Sequence, residues 1–536
     1  MSTIDLSEHF TYRKLLWFVL PCIFMFLVDT TYGMIDGFFV SKIAGKNAFA
    51  SLNLIMPLLT AIGTLGFMFG TGGSALIAAV LGKNRVDFAK KIFTMIISAI
   101  IVIGVTLSFI AFIYMEKIAI FLGADENLID GCVIYGKILV CSIPFFILQN
   151  AFNSLLITAG KKGYGLIFIT ITAISNIGLD IFLIYEMKMG LIGAAIATSS
   201  SYFIGGLLPL LYFLSGKNKI LSFVKTKIHS KIIGKVCSNG SSEMISNISI
   251  AVVSIVYNLQ LMRIMGPNGM DGVAAYGVIT YLNYVFLAIF LGFSSGSISI
   301  IGYKYGAGDK DELKNIFKKS IVFIFFIGCI MTIIANIYAD ELAFIFTGYD
   351  ENLYYLTVNV IKTYSISFAI CGFNIFGSAY FTGLNDGKNS ALISFLRTFV
   401  FQIPSILILP LMFGAETIWY SIIVAEGITL FITIFLFIKF NNREFEEDKI
   451  AMIHTLGDNV SNNIQPIKVG ENSNSNLKDN PKNKNYTKEN KNEEEKEKKE
   501  EKEEEEKEEE EDNKKDDEEN KKSDDTNNKK NKVAFG

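Results

Sequence analysis

Two carboxylates lie inside the first long apolar segment of the chain, where a charge is costly. Residues 15–40 are apolar enough to cross a bilayer, yet they include Asp29 and Asp36. A lone charge at the centre of a membrane helix costs about 2.5–3.5 kcal/mol on insertion scales, so an acid at that depth is first treated as a functional residue. The two acids are two helical turns apart and therefore face one side of a helix, about 10 Å from each other. That side must look into a helix bundle or a watery cavity.

A third acid, Asp180, occupies a later apolar segment with Asn176 four residues before it, so both side chains share one helix face. Counting about 1.5 Å per residue from the segment ends places Asp36, Asp180 and Thr198 at a similar depth. We predict that these four residues form a site for a coupling cation. Their oxygens could enclose Na⁺, or the two carboxylates could hold a proton between them. A third alternative is that each group is hydrogen-bonded separately to backbone.

The second half of the chain carries its own charges within apolar segments, namely Glu243, Arg397 and Glu426. Arg397 and Glu426 occupy neighbouring segments, and because an unpaired membrane charge is costly we predict that they form a structural ion pair. Glu243 has Asn247 one turn later and could line a central cavity. The candidates for that substrate cavity are Asp29, Glu243, Asn247, Asn283, Asn150 and Asn374.

Apolar runs long enough to span a bilayer recur twelve times, which predicts an all-α polytopic membrane protein. The loops between them alternate between lysine-rich and acid-rich. Because positive loops stay on the cytoplasmic side, this alternation places both termini in the cytoplasm and favours twelve spans over eleven. The runs lie near 15–41, 51–81, 92–115, 133–158, 164–186, 191–214, 236–264, 273–303, 316–339, 356–383, 389–412 and 417–440.

The two halves of the chain are related by a weak internal repeat. A shift of about 224 residues aligns 45–93 with 269–317 without gaps and places Gly72 opposite Gly296. Since six spans per half is an even number, both halves share one orientation, and we predict two pseudo-symmetric six-helix lobes with the substrate site between them. The predicted organisation is an N-terminal segment 1–14, a first lobe 15–214, a cytoplasmic linker 215–235, a second lobe 236–440 and a tail 441–536.

The internal repeat does not reproduce the acids of the first half in the second half. The same shift aligns Asp36 with Gln260 and Asp180 with Pro404. Because the scaffold is shared and these acids are not, they are better explained by a function of the first lobe than by its architecture.

The C-terminal tail differs from the rest of the chain in its net charge. The chain of 536 residues is 51 % hydrophobic with a net charge of −3, and residues 441–536 alone carry about −9, so residues 1–440 carry about +6. Such a tail cannot bury enough apolar surface to fold, and we predict that it is a disordered cytoplasmic segment.

The sequence lacks the residue patterns that several classes of chemistry require. The three histidines lie outside the apolar runs, the six cysteines lack metal-ligand spacing, and the sequence contains no Walker-type phosphate loop. We therefore expect neither an enzyme nor a nucleic-acid-binding protein. The expected partners are the lipid bilayer and small organic substrates.

Several motifs resemble those of MATE (multidrug and toxic compound extrusion) transporters, in particular the bacterial multidrug-export branch. The resemblance covers about residues 12–440. The motifs are Pro21, Asp36-Gly37-Phe38-Phe39-Val40, Gly45, Ala50-Ser51-Leu52-Asn53-Leu54-Ile55-Met56-Pro57, Gly66 to Ala75, Ala274-Ala275-Tyr276-Gly277, Tyr303-Lys304-Tyr305-Gly306-Ala307, Pro404 and Ala425-Glu426.

The resemblance implies a V-shaped pair of lobes that exports drugs by alternating access, driven by H⁺ or Na⁺ and without another cofactor. It carries the family's cation site onto Asp36, Asn176, Asp180 and Thr198, while Asp29 is an acid that the family pattern does not predict. It also implies a monomer in the cytoplasmic (inner) membrane that exports amphipathic, often cationic compounds. The alternative is a lipid-linked sugar flippase of the same wider superfamily, which would need a strongly cationic cavity, and the sequence supplies mainly Arg397.

Overall fold

The computed structural model describes residues 6–39, 46–124, 126 and 128–441, with backbone alone at 37–39, 46–50 and 441. This part of the chain is helical and contains no β-strand. The predicted tail, apart from Asn441, and the motif positions Val40 and Gly45 lie outside the described residues. The helices are α1 (Tyr12–Phe39), α2 (Lys46–Gly82), α3 (Val86–Phe121), α4 (Ile129–Val140), α5 (Ile143–Thr158), α6 (Lys162–Asp180), α7 (Gly190–Leu214), α8 (Ser230–Ile264), α9 (Gly269–Ala307), α10 (Lys310–Ile337), α11 (Ala339–Thr347), α12 (Glu351–Ser365), α13 (Phe368–Gly383), α14 (Gly387–Phe395), α15 (Ile403–Phe413) and α16 (Ser421–Asn441).

Short non-α turns join some of these helices. A π-helical turn, Ile181–Glu186, continues α6, and a second one, Leu396–Gln402, joins α14 to α15. The 3₁₀ turns Gly266–Asn268 and Ala415–Tyr420 precede α9 and α16. Among the described residues, ten helical stretches are long and apolar enough to cross a membrane.

Two bent helix pairs complete the predicted twelve spans. α4 and α5 meet at 55°, and α12 and α13 meet at 46°. The first bend precedes Pro144, whose ring removes a backbone donor and favours a new helix start. Ser142 and Ser367 mark the two breaks and are separated by nearly the repeat distance, so the bends occupy equivalent places in two six-span lobes, α1–α7 and α8–α16.

The lobes pack closely together at the end that carries the lysine-rich loops, here called the basic end. A Cβ on Gly82 of α2 would meet the carbonyl oxygen of Tyr303 in α9, and a Cβ on Gly306 would meet that of Ala79. In lipid, where apolar burial drives little association, such small residues let two helices pack backbone to backbone. Because repeat-related glycines make equivalent contacts, α2 and α9 cross each other about the pseudo-symmetry axis.

Hydrogen bonds between the lobes also lie at the basic end. Thr158 and Ser299 join hydroxyl to hydroxyl at 2.8 Å. The segment before α1, although it leads into the first lobe, is held by the second: the backbone N–H of Phe10 donates to Glu312 Oε1 at 2.7 Å, and Lys304 Nζ donates to the Ser7 carbonyl at 2.6 Å. The structure is therefore of a state with the basic end closed.

Several helices extend beyond the predicted apolar runs, and one helix was not predicted. α8 begins at Ser230 rather than at 236, because hydropathy marks only the part of a helix that lies in lipid, whereas this helix continues through its lysines toward the loop. α11 was not predicted, since its nine residues are too short to span a membrane.

Candidate functional site

Four predicted side chains meet in the core of the first lobe. α1 contributes Asp36, α6 contributes Asn176 and Asp180, and α7 contributes Thr198, all with at most 4 % exposure. The Thr198 hydroxyl lies 3.5 Å from Asp36 Oδ1, and the carboxylates of Asp36 and Asp180 are adjacent. Two adjacent carboxylates repel unless a proton or another cation lies between them. The arrangement can therefore hold one small cation.

Several polar atoms of this cluster have no hydrogen-bond partner among the described residues. Both carboxylate oxygens of Asp180 and both amide atoms of Asn176 are in this state. Burying such groups without partners costs free energy, and buried polar atoms in proteins are usually paired. The oxygens of Asp180 and Asn176 thus form a donor set that fits H⁺ or Na⁺.

The first lobe also buries polar residues that sequence reasoning missed. Tyr135 of α4 and Gln149 of α5 are buried, and the Tyr135 hydroxyl and Gln149 Oε1 also lack partners among the described residues. Gln149 Nε2 lies 3.4 Å from the hydroxyl of Tyr32 in α1. A search for charges could not find these residues, although a glutamine inside an apolar run was a usable signal.

A cavity of about 230 Å³ lies between α1 and α2 of the first lobe and several helices of the second. Asp29 is on the α1 side, and Glu243 and Asn247 of α8 and Asn283 of α9 are on the other. Four of the six predicted cavity residues therefore line one space. Aromatic side chains complete much of its wall: Phe26, Phe67, Tyr276, Tyr284 and Tyr364.

The remaining two candidates, Asn150 and Asn374, do not line this cavity. Asn150 Nδ2 donates to the Gly63 carbonyl at 3.2 Å inside the first lobe. Asn374 Nδ2 donates to Glu426 Oε2 at 2.7 Å, and its carbonyl oxygen accepts from the Thr433 hydroxyl at 2.9 Å. The residue type of an asparagine indicates a need for hydrogen-bond partners but not the helix face on which those partners lie.

Arg397 and Glu426 border the cavity as a pair. Arg397 Nη2 and Nε each lie 2.6 Å from Glu426 Oε1. Glu426 is fully buried, while 19 % of the Arg397 side chain is exposed. With every carboxylate ionised, the acids Asp29, Glu243 and Glu426 exceed the single arginine of the cavity wall by two charges.

The sequence is similar to a known protein family and to two curated export proteins. A sequence model of the MatE family matches residues 21–182 and 244–408. The multidrug export protein MepA of Staphylococcus haemolyticus is 24 % identical over 449 residues, which cover 83 % of this chain and 97 % of that protein. The MepA protein of Staphylococcus saprophyticus is 24 % identical over 420 residues, which cover 78 % and 91 % of the two chains.

Solved structures show the same fold. The outward-facing conformation of a multidrug resistance MATE family transporter of the MOP superfamily superposes with a TM-score of 0.76 at 20 % identity, covering 85 % of this chain and 99 % of that one. A MATE protein in complex with MaL6 has a TM-score of 0.76 at 20 % identity, covering 85 % and 100 %.

Proposed function

Because the chain belongs to the MatE family, we propose that it is a multidrug exporter that couples the outward movement of amphipathic, often cationic compounds to the inward movement of H⁺ or Na⁺. The two lobes alternate between states open to opposite sides of the membrane. The multidrug export proteins to which this chain is similar support the drug-export part of the proposal.

The composition of the cavity wall supports the proposal that the substrates are cationic and partly aromatic. Asp29 and Glu243 supply negative charge from opposite lobes, and Tyr276 and Tyr284 supply aromatic faces between them. A cation over an aromatic ring gains about 0.5–2 kcal/mol, more where water is excluded. A flat organic cation can thus be held without a dedicated hydrogen-bond pattern, which suits a broad substrate range.

The flippase alternative is less well supported. A lipid-linked sugar carries phosphate and needs cationic partners in the cavity. The cavity wall contains one arginine, Arg397, and its guanidinium is already paired with Glu426 at 2.6 Å. An incoming phosphate would have to compete with that carboxylate and meet two further acids.

The coupling proposal rests on the adjacent carboxylates of Asp36 and Asp180 and on the buried oxygens of this cluster that have no hydrogen-bond partner in the described part of the chain. Binding a cation there neutralises the pair and favours one arrangement of the first lobe. By reciprocal coupling, a substrate that binds the other arrangement is released when the cation enters. In this scheme the oxygens of Asp36, Asn176, Asp180 and Thr198 hold H⁺ or Na⁺ as a transported ion.

The direction of transport follows from the lysine-rich loops. Positive loops remain on the cytoplasmic side, so we place the basic end and both termini in the cytoplasm and the protein in the cytoplasmic membrane as a monomer. The state with the basic end closed is then the one that releases drug to the outside.

Ethidium, a fluorescent aromatic cation, tests the proposal in vesicles containing the purified full chain. A gradient of H⁺ or of Na⁺ is imposed alone, and uphill movement of ethidium is followed by fluorescence. We expect one of the two gradients to drive transport, and Glu243→Gln to weaken ethidium binding while Asp271→Asn, a change outside the cavity, does not. Absence of uphill transport under both gradients would overturn the proposal.

A further inference from the structure

The residues that precede α1 lie against the second lobe at the basic end. Residues 6–11 are not helical, and Phe10 among them is fully buried. They contact the last turn of α9 and the first three turns of α10. We call residues 6–11 the strap.

Side chains of α10 bind both polar groups of the Phe10 backbone. The N–H of Phe10 donates to Glu312 Oε1 at 2.7 Å. Its carbonyl oxygen accepts from Asn315 Nδ2 at 3.1 Å and also from Lys319 Nζ. Hydrogen bonds to charged groups are stronger than bonds between neutral groups. The centre of the strap is therefore held by one anionic and one cationic side chain of the second lobe.

Two further contacts fasten the strap to the same lobe. His9 Nδ1 lies 2.6 Å from Glu312 Oε2, and Lys304 Nζ donates to the Ser7 carbonyl at 2.6 Å. Glu312 thus receives the strap with both of its carboxylate oxygens, although its own side chain is only 7 % exposed.

The Phe10 ring connects the strap to the first lobe through α1. It meets the ring of Phe18 edge to face, with 5.8 Å between the ring centroids. Lys162, the first residue of α6, places its Nζ 3.5 Å from the centroid of the Phe18 ring. A cation over an aromatic ring is an attractive contact. A series of contacts therefore joins α10 of the second lobe to α6 of the first lobe.

The basic half of α1 itself crosses the interface between the lobes. A Cβ on Gly292 of α9 would meet the backbone of Ile23 in α1. α8, the first helix of the second lobe, makes the corresponding contact with the first lobe, because a Cβ on Gly240 would meet the carbonyl oxygen of Met68 in α2. Opening of the basic end in the proposed transport cycle separates these pairs of helices.

The segment before α8 provides an informative comparison with the strap. It lies on α3, the third helix of the first lobe, where the N–H of Val224 donates to Thr94 Oγ1 at 3.1 Å. Residues 225–229 separate Val224 from α8, whereas Thr11 alone separates Phe10 from α1. One extended residue spans about 3.5 Å. The segment before α8 can therefore stay on α3 while the lobes part, but the strap lacks the length to stay on α10 while α1 moves away.

We propose that the strap is a latch: its contacts with α10 hold the basic end closed, and it leaves α10 each time the basic end opens. This inference rests on the alternation of the two lobes in the proposed function and adds a contact that controls one of the two states. It concerns the balance between closed and open states and not the identity of the drug or of the cation.

The first experiment weakens the latch and measures opening directly. Glu312→Gln keeps the shape of the side chain and removes the charge that receives the strap. Asp311→Asn is the matched control, because Asp311 is an exposed acid in the same first turn of α10. Opening is read with Ser299→Cys in a protein without the native cysteines, since Ser299 is fully buried and its hydroxyl meets that of Thr158 across the interface.

The full-length protein is placed in lipid nanodiscs, where a water-soluble thiol reagent reaches both faces of the bilayer. We expect Glu312→Gln to increase the rate of labelling of the Ser299→Cys thiol at least fivefold, and Asp311→Asn to change it less than twofold. A second reporter, Ser320→Cys, detects loosening of the second lobe, because Ser320 is fully buried in α10. Its labelling should remain equally slow in Glu312→Gln and in the parent protein.

The second experiment prevents the strap from leaving. Because the side chains of His9 and Glu312 are in contact, the thiols of His9→Cys and Glu312→Cys can be joined by a short bifunctional methanethiosulfonate. In vesicles, joining them should lower driven ethidium transport at least tenfold, and dithiothreitol should restore it. The same treatment of either single-cysteine variant should leave transport unchanged.

The outcomes separate failure of the latch from failure of the proposed function. Equal labelling of Ser299→Cys with and without Glu312→Gln overturns the latch, and so does a parallel rise at Ser320→Cys, which would assign Glu312 to stability alone. Full transport by the joined protein shows that the strap remains on α10 throughout the cycle and also overturns the latch.

The labelling experiment requires neither drug nor gradient, so it does not depend on transport. Absence of uphill ethidium transport by the unmodified protein under both gradients, together with the expected labelling difference, would overturn the exporter and leave control of the lobes by the strap intact.

Discussion

Replacement of Arg397 by glutamine should destabilise the second lobe through its buried partner. Glu426 is completely buried, and Nε and Nη2 of Arg397 each lie 2.6 Å from its Oε1. After the substitution its remaining side-chain donor is Asn374 Nδ2 at 2.7 Å, which is neutral. Removing one partner of a buried ion pair costs about 3–5 kcal/mol because it leaves an uncompensated charge.

The expected loss lies near the lower limit, about 3 kcal/mol, because 19 % of the Arg397 side chain is exposed, so its replacement by the shorter glutamine would let water approach Glu426. One kcal/mol corresponds to about 2–4 °C in Tm for a unit of 150–250 residues, so Tm should fall by about 6–12 °C if the lobe unfolds as one unit. The assay is thermal unfolding of the purified protein in detergent.

A double variant separates charge from packing. Arg397→Gln with Glu426→Gln removes both charges, and most of the lost stability should return, because replacing a whole buried pair is far less costly than breaking it. Arg263→Gln, at the exposed end of α8, is the control and should change stability by less than about 0.5 kcal/mol. An unchanged Tm in Arg397→Gln, or no recovery in the double variant, would refute this reasoning.

Two further predictions concern topology and the tail. In a background without the native cysteines, a cysteine in place of Asp130 should react with an impermeant thiol reagent in intact cells and one in place of Lys225 should not; the reverse pattern would contradict the orientation proposed from the lysine-rich loops. Truncation after residue 450 should leave ethidium efflux per folded molecule unchanged, because the removed segment is too polar to pack, whereas a severalfold loss at equal expression would assign the tail a part in transport.

Charged residues were the most informative part of the sequence. An ionised group inside an apolar run carries a cost of several kcal/mol, so Asp36, Asp180 and Glu243 could be singled out. Counting residues then matched Asp36 and Asp180 in depth. The membrane-spanning fold and its two lobes could likewise be predicted, since run length, loop charge and the repeat are all linear features of the chain.

Neutral polar residues were much harder to place. Asn150 and Asn374 are related by the repeat and look like cavity residues, but each bonds inside its own lobe. Serines such as Ser378 and Ser390 cost little in a helix when they bond locally, so their presence in an apolar run signals nothing by itself. Their significance depends on which faces of α13 and α14 meet, and helix packing determines that, not the local sequence.

The helix bends also depend on more than composition. Pro144 explains the break between α4 and α5, but the equivalent break before α13 has no proline, and its position emerges only from the structure. Because each bent pair forms one continuous apolar run, hydropathy predicted the correct number of spans. It could not predict that two of these spans are bent.

The central claim is that the Asp36 and Asp180 pair couples cation entry to drug export. The most direct test is the steady-state ethidium ratio across vesicles that hold a fixed gradient of the driving cation. One pH unit corresponds to about 1.4 kcal/mol, which can sustain about a tenfold substrate ratio for each proton exchanged. Asp36→Asn and Asp180→Asn should each reduce the ratio to one while retaining most ethidium binding, and Asp87→Asn, a change of an exposed acid at the basic end, should not. A full ratio in both Asp36→Asn and Asp180→Asn would contradict the account.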